Sequence, residues 1–128
     1  MKETVLLYGF KDQERLKKVK RALLPLGLRM RTVGPEEYFQ PVGYLAGVKE
    51  VPPAENDRPG TEFDCEMMVM AGLASAQVDA VIHALYRSGG GRIDYKAVLT
   101  PVNQFWDGEK LYEEIAREHE AMTKGGSQ

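Results

Sequence analysis

The chain has 128 residues, 43% of them hydrophobic and 28% charged, which fits one folded domain and argues against a disordered chain. No apolar run approaches the ~20 residues that span a bilayer, so no membrane partner is expected. The single cysteine, Cys65, excludes an internal disulfide and is typical of a protein from the reducing cytoplasm.

The first third of the chain predicts a strand, a helix and a second strand. The apolar run "TVLLYGF" (4–10) is rich in strand formers. Asp12 can cap the helix "QERLKKVKRALL", which Pro25 and the following Gly27 end. The stretch "LRMRTV" (28–33) alternates apolar residues with arginines, which predicts a strand with one solvated face at the edge of a sheet.

The segment from 35 to 62 is a long loop that contains five prolines. Its first half, "PEEYFQPVGYLAG", is apolar and aromatic, so we expect it to pack onto the body as one or two short helical turns. Its second half, "VKEVPPAENDRPG", predicts an exposed excursion. Loops of this length are usually functional or mobile.

The second half of the chain predicts two further strands and two further helices. The strands are "EMMVMAG" (66–72) and "YKAVLT" (95–100). Ser75 is the expected N-cap of the helix after the first of them, and Asp107 that of the last helix. One domain is therefore expected over residues 1–122, followed by a disordered tail over 123–128.

Two folds fit this order of elements. The favoured one is a small four-stranded, mostly parallel α/β sheet with helices on both faces, of the flavodoxin-like or Rossmann-like kind, because most strands are apolar on both faces. The alternative is a ferredoxin-like α+β sheet with an extra C-terminal helix. In a parallel sheet the loops after all four strands would converge at one edge, where ligands bind.

Two loop segments supply the expected ligand-binding residues. Both gather aromatic and polar side chains after strand ends, as a pocket for a small ligand or a peptide would. The predicted set is Tyr38, Gln40, Tyr44, Thr100, Asn103 and Trp106. The structural alternative is that "TPVNQFWDG" is a turn in which Asn103 shapes the backbone and Trp106 packs ahead of the Asp107 cap.

The first helix supplies a second candidate surface. Residues 1–34 carry a net charge of +6 and residues 35–128 a net charge of −8, which sum to the overall −2. Such a split can guide an acidic partner or a second copy of the chain. The expected partner-binding residues are Arg15, Lys17, Lys18 and Arg21. Nucleic acid is disfavoured, because the whole chain is acidic and the strands lack the aromatic pattern of RNA-recognition sheets.

Motifs for catalysis, metals and cofactors do not appear in the sequence. Ser75 lacks the G-x-S-x-G context of a hydrolase, and no His, Cys or carboxylate set has metal-ligand spacing. The glycines of "SGGGR" precede a strand and not a helix, unlike a phosphate-binding loop. We therefore expect no cofactor, no metal and no catalytic residue.

The strings "QPVGYLAG" and "KAVLTPVNQFW", the latter followed by "LYEEIAREHE", resemble those of a small bacterial family, the domain of unknown function 3783. The resemblance is best from "MMVMAG" to "LYEE", and "LLYGF" adds to it in the first half. It implies a free-standing bacterial cytoplasmic protein. It implies no mechanism.

These observations favour a binding or regulatory module for a small ligand or a peptide over an enzyme. An enzyme of unrecognised type, in which Asn103 or Tyr44 polarises a substrate, is one alternative. A protein-interaction module that docks through the basic first helix is the other.

Overall fold

The computed structural model describes residues 2–58, 60–89 and 92–126, with side chains as far as Met122. In chain order the strands and longer helices are β1 (Thr4–Tyr8), α1 (Gln13–Leu23), β2 (Arg29–Val33), α2 (Val42–Ala46), β3 (Met67–Ala71), α3 (Ser75–Arg87), β4 (Tyr95–Val98) and α4 (Gly108–Gly126). Short 3-10 turns span Leu24–Leu26, Pro35–Glu37 and Asn103–Phe105. Within these ranges no helix has the length and apolar character to cross a membrane.

The four strands form one sheet in the order β2-β1-β3-β4. Within the pairs β1/β2 and β3/β4 the strands run parallel, and each of these pairs is joined by a helix, whereas β1 and β3 run antiparallel. The predicted four-stranded, mostly parallel α/β sheet is thus confirmed. It differs from an all-parallel sheet at its centre. It also differs from a ferredoxin-like sheet, because each helix-linked pair of strands lies side by side and is not split.

The antiparallel centre follows from the path of the long loop. β2 ends at Val33, beside Tyr8 at the end of β1, and β3 starts at Met67 beside the same Tyr8. The chain thus re-enters the sheet at the same end of the strands at which it left, so β3 must run antiparallel to β1. A loop as long as 35–62 permits this return as easily as a crossover to the opposite edge.

Helices cover both faces of the sheet and give three layers. On one face, Val5 and Leu7 of β1 pack with α1 and α3. On the other face, Leu6 and Tyr8 pack with α2, with Leu111 of α4, and with Tyr38 and Phe63 of the long loop. β1 and β3 are buried along their whole length, as expected of strands with helices on both sides.

The helix ends follow the predicted signals with one exception. Asp12 caps α1 by accepting hydrogen bonds from the next turn, and Asp107 caps α4 by accepting one from Lys110 N at 2.8 Å. The predicted Ser75 cap is wrong, because Ser75 is the first residue of α3 and Ala74 occupies the cap position. There the Gln77 side chain reaches back and accepts from Ala74 N at 2.7 Å, which satisfies the free backbone donor.

The backbone of α4 continues to Gly126, past the start of the predicted tail. The side chains of that tail, residues 123–128, and the backbone of its last two residues lie outside the described part of the chain.

Candidate functional site

The two loop segments that supply the predicted ligand-binding residues meet in the structure. Val42 N donates to Trp106 O at 2.8 Å, and Gly108 N donates to Tyr38 O at 2.9 Å. A Cβ atom on Gly43 would lie 2.8 Å from Gln104 O, so only glycine permits this approach of α2 to the turn after β4.

The reason they meet is not the predicted one. Because β1 and β3 are antiparallel, the C-terminal ends of β1 and β2 lie at one end of the strands and those of β3 and β4 at the opposite end. The loops after the four strands therefore do not converge. Instead, residues 99–107 run back along the length of β1. β4 ends at the level of Val5, whereas Gly108 contacts the Tyr8 ring.

Thr100 and Asn103 use their side chains to hold the turn after β4. Asn103 Oδ1 accepts from Thr100 N at 2.8 Å, and its Nδ2 donates to Val98 O at 3.1 Å. Thr100 Oγ1 accepts from Asn103 N at 3.0 Å. These contacts favour the turn-forming role of both residues and leave the ligand-binding role a prediction.

Tyr38 and Gln40 fasten the long loop to the body. The Tyr38 ring is buried and stacks on Phe63 with ring centroids 4.1 Å apart, while its hydroxyl donates to the exposed Glu62 at 3.2 Å. Burial, and next the Glu62 carboxylate, raise the pKa of Tyr38. Gln40 Oε1 accepts from Ala54 N at 2.8 Å. A bound ligand would have to displace one of these contacts or use other atoms.

Tyr8 belongs to the aromatic cluster under the long loop. Its ring lies 5.8 Å from that of Tyr38 and 6.1 Å from that of Phe63, centroid to centroid. Its hydroxyl is buried and has no hydrogen-bond partner within the described part of the chain. Burial is the main cause that raises the pKa of Tyr8, followed by the neighbouring Tyr38. The run 4–10 predicted a strand that contains Tyr8, but not that its hydroxyl would be buried without a partner among the described residues.

Exposed apolar side chains surround the turn after β4. Val98, Val102 and Phe105 are 43%, 66% and 56% exposed, and Tyr44 on α2 is 39% exposed. Trp106 is half-buried against the core, with the Lys110 ammonium 5.1 Å from its ring centroid. Val98, Val102 and Phe105 were missed from the sequence. The available signal was Val102 and Phe105, two apolar residues outside every predicted helix and strand, close to Val98 at the end of a predicted strand.

A depression of about 520 Å³ lies beside this turn. It is lined by the chain neighbours of two predicted residues, Phe39 next to Gln40 and Asp107 next to Trp106, together with 54–56 and Arg58. Arg58 donates to Asp107 at 2.8 Å and pairs with Glu109 at 3.4 Å. This depression is therefore lined by charged and polar residues as well as by Phe39.

The four predicted partner-binding residues of α1 divide into two groups. Arg15 is tied to the start of β3, because its Nε and NH2 groups donate to the Glu66 carboxylate at 3.0–3.1 Å. Lys17 makes a 3.7 Å contact with Glu14 on the surface. Lys18 and Arg21 are exposed and make no hydrogen bond or ion pair within the ranges that the structure covers. The Arg15 guanidinium is thus engaged within the chain, and the partner-binding role of all four residues stays a prediction.

Cys65 is exposed, and its backbone N–H donates to the Tyr112 hydroxyl at 3.1 Å. No group of three or more His, Cys, Asp or Glu side chains within the described ranges could hold a metal ion.

The fold and this site define a three-layer α/β protein with an apolar surface at one sheet edge. Residues 66–122, from just before β3 to the last described side chain of α4, match the family model named Domain of unknown function (DUF3783). The resemblance stated from the sequence is confirmed over these residues, which include the turn after β4 but neither α1 nor α2. No curated protein and no solved structure matches the chain.

Proposed function

We propose that the protein is an interaction module that binds a peptide segment of another protein through the "turn surface", which we define as Tyr44, Val98, Val102, Phe105 and Trp106. The observation that carries the proposal is the exposure of Val98, Val102 and Phe105 within a few residues of each other. Exposed apolar groups that are gathered in one place mark protein-interaction sites. Aromatic residues are also enriched at such interfaces.

The backbone under the turn surface is held in place before any partner binds. Asn103 and Thr100 make hydrogen bonds within the turn, and Asn103 also donates to the end of β4. Trp106 O accepts a hydrogen bond from Val42 N of α2. A preordered surface loses little conformational entropy on binding, which favours affinity. The polar side chains of this region are engaged within the chain. A partner is therefore recognised here mainly by apolar contact, which suits a peptide better than a small polar molecule.

The test is to select peptides on the wild-type protein from a displayed library and to measure the affinity of a selected peptide for two variants. Phe105→Ser removes the aromatic ring from the turn surface. Tyr86→Ser is the matched control, because Tyr86 is an aromatic residue of similar exposure, 60%, on α3 at the opposite face of the sheet. We expect Phe105→Ser to weaken binding about tenfold, since burial of a phenylalanine contributes about 1.5–3 kcal/mol.

Tyr86→Ser is expected to leave that affinity within about twofold. Equal losses in both variants, or a library that yields no peptide, would contradict the proposal. Because both side chains are exposed, neither substitution should lower the free energy of unfolding by more than about 0.5 kcal/mol.

A second candidate function is the binding of a small polar ligand in the depression that Phe39, Asp107 and Arg58 line. Its volume lies within the usual range of ligand sites, and it offers the Arg58 guanidinium as a donor and the Asp107 carboxylate as an acceptor to a polar ligand. A native mass spectrum of the purified protein at near-physiological salt tests this function. A mass above that of the chain, lost in Arg58→Ala, would support it. The same spectrum reports whether a second copy is bound.

We further infer a bacterial cytoplasmic location. The free, exposed Cys65 supports the reducing compartment. The match to the family supports a bacterial source, because the family that the sequence resembles is described above as bacterial. Localisation of a fluorescent fusion in a bacterial cell would test the compartment, and an extracytoplasmic signal would contradict it.

A further inference from the structure

The exposed face of α1 carries a second surface, which we call the "α1 surface" and define as Lys17, Lys18, Arg21 and Leu24. Lys17, Arg21 and Leu24 follow each other at intervals of four and three residues, so they form one stripe along the helix and the turn that continues it. Leu24 is 66% exposed, although it is a large apolar residue. The cations flank a depression of about 330 Å³ that Asp12, Glu14, Arg15 and Gly89 complete.

This helix is firmly held, so the stripe is a rigid feature. Leu16, Val19 and Leu23 are buried against the sheet on the opposite side of α1. The Arg15–Glu66 ion pair adds a contact between the helix and the start of β3. The positive charge of Arg15 is thereby paired with the Glu66 carboxylate, whereas Lys18 and Arg21 have no acidic partner among the described residues.

We propose that the α1 surface docks an acidic segment of a partner protein, whose carboxylates contact Lys18 and Arg21 and whose apolar side chain packs on Leu24. Charge complementarity is the argument for the acidic character of the partner. This surface lies on the α1/α3 face of the sheet, whereas α2 packs on the other face, so the proposal is independent of the turn surface.

One observation favours a protein segment over nucleic acid. The exposed Leu24 side chain has a use in contact with an apolar side chain and none against phosphate groups.

The experiment uses a fluorescein-labelled peptide of Glu-Glu-Leu repeats and measures its binding to the full chain by fluorescence anisotropy. The test variant is Lys18→Glu/Arg21→Glu. The matched control is Lys2→Glu/Lys49→Glu, which makes the same change in net charge at two exposed lysines outside the α1 surface. Leu24→Ser tests the apolar contact. A single-stranded oligonucleotide and vesicles of anionic phospholipid are the competing probes.

We expect the peptide to bind the wild-type chain and its affinity to fall as salt rises from about 50 to 300 mM. Lys18→Glu/Arg21→Glu should weaken binding about tenfold or more, and Leu24→Ser about threefold, while the control changes it by less than about twofold. Absence of peptide binding would overturn the proposal, as would equal losses in the test and control variants. Tighter binding of the oligonucleotide or of the vesicles than of the peptide would overturn it as well.

Discussion

Replacing Tyr8 with phenylalanine is expected to raise the free energy of unfolding, whereas the same replacement at Tyr38 is expected to lower it. Both rings are fully buried in the same aromatic cluster. They differ in their hydroxyls. That of Tyr8 is buried without a partner in the described part of the chain, and that of Tyr38 donates to Glu62.

The magnitudes follow from the cost of a buried polar atom. An unsatisfied buried hydroxyl costs about 1–3 kcal/mol, and its removal leaves a small void that offsets part of the gain. Tyr8→Phe should therefore stabilise the protein by about 1 kcal/mol, which corresponds to a rise in Tm of about 4 °C. Tyr38→Phe loses one hydrogen bond to an exposed carboxylate that water can solvate, and should destabilise the protein by about 1 kcal/mol.

The raised pKa of Tyr8 also predicts how the stability of Tyr8→Phe and of the wild type depends on pH. The pKa of Tyr8 is raised in the folded protein, so above about pH 10 the unfolded chain releases a proton that the folded chain keeps. Stability is therefore unaffected below about pH 10 and is lost above it, by about 1.4 kcal/mol per pH unit for each such tyrosine. Tyr8→Phe removes one of these contributions, so its advantage over the wild type should grow between pH 10 and pH 11.

Urea unfolding monitored by the fluorescence of Trp106, the only tryptophan, measures these free energies. The reasoning is refuted if Tyr8→Phe destabilises the protein by more than about 1 kcal/mol at pH 7. It is also refuted if Tyr8→Phe loses stability above pH 10 as steeply as the wild type does.

Further predictions concern the contacts that hold the elements together, each measured by urea unfolding. Arg15→Ala and Glu66→Ala should each cost about 1 kcal/mol, and the double variant should cost less than their sum because both remove one ion pair; full additivity would argue against the pair. Asn103→Ala should cost about 1 kcal/mol, since it leaves two backbone groups of the turn unpaired; no loss would show that water replaces the amide. Gly108→Ala should cost about 1–3 kcal/mol, because its Cβ would lie 2.8 Å from the Tyr8 ring; a neutral effect would show that the ring can move.

The elements that local signals specify were predictable. Asp12 and Asp107 precede their helices, and both cap them, because an N-cap requires only a side chain two or three residues before the free N–H groups. The alternation in 28–33 predicted an edge strand, and β2 lies at the edge of the sheet. Ser75 was misassigned because two adjacent positions could start α3 and the Gln77 side chain decided between them.

The candidate site was predicted in part. The sequence indicated that the segments around Tyr44 and Trp106 carry the aromatic residues of interest, and the structure brings these segments into contact. It did not indicate that the Asn103 amide and the Thr100 hydroxyl are used within the turn. Those bonds depend on the conformation of the turn, which sequence spacing does not determine.

Taken alone, the sequence determined the order of strands and helices, the Asp12 and Asp107 caps, the edge position of β2 and the basic character of α1, because these depend on residues close together in the chain. The tertiary structure decided the direction of β3 relative to β1. A long loop can enter the next strand from either end of the sheet at nearly equal entropic cost. The tertiary structure also decided that Arg15 is paired with Glu66, 51 residues away, while Lys18 and Arg21 remain exposed. A pairing across that distance exists only once both elements are packed on the sheet.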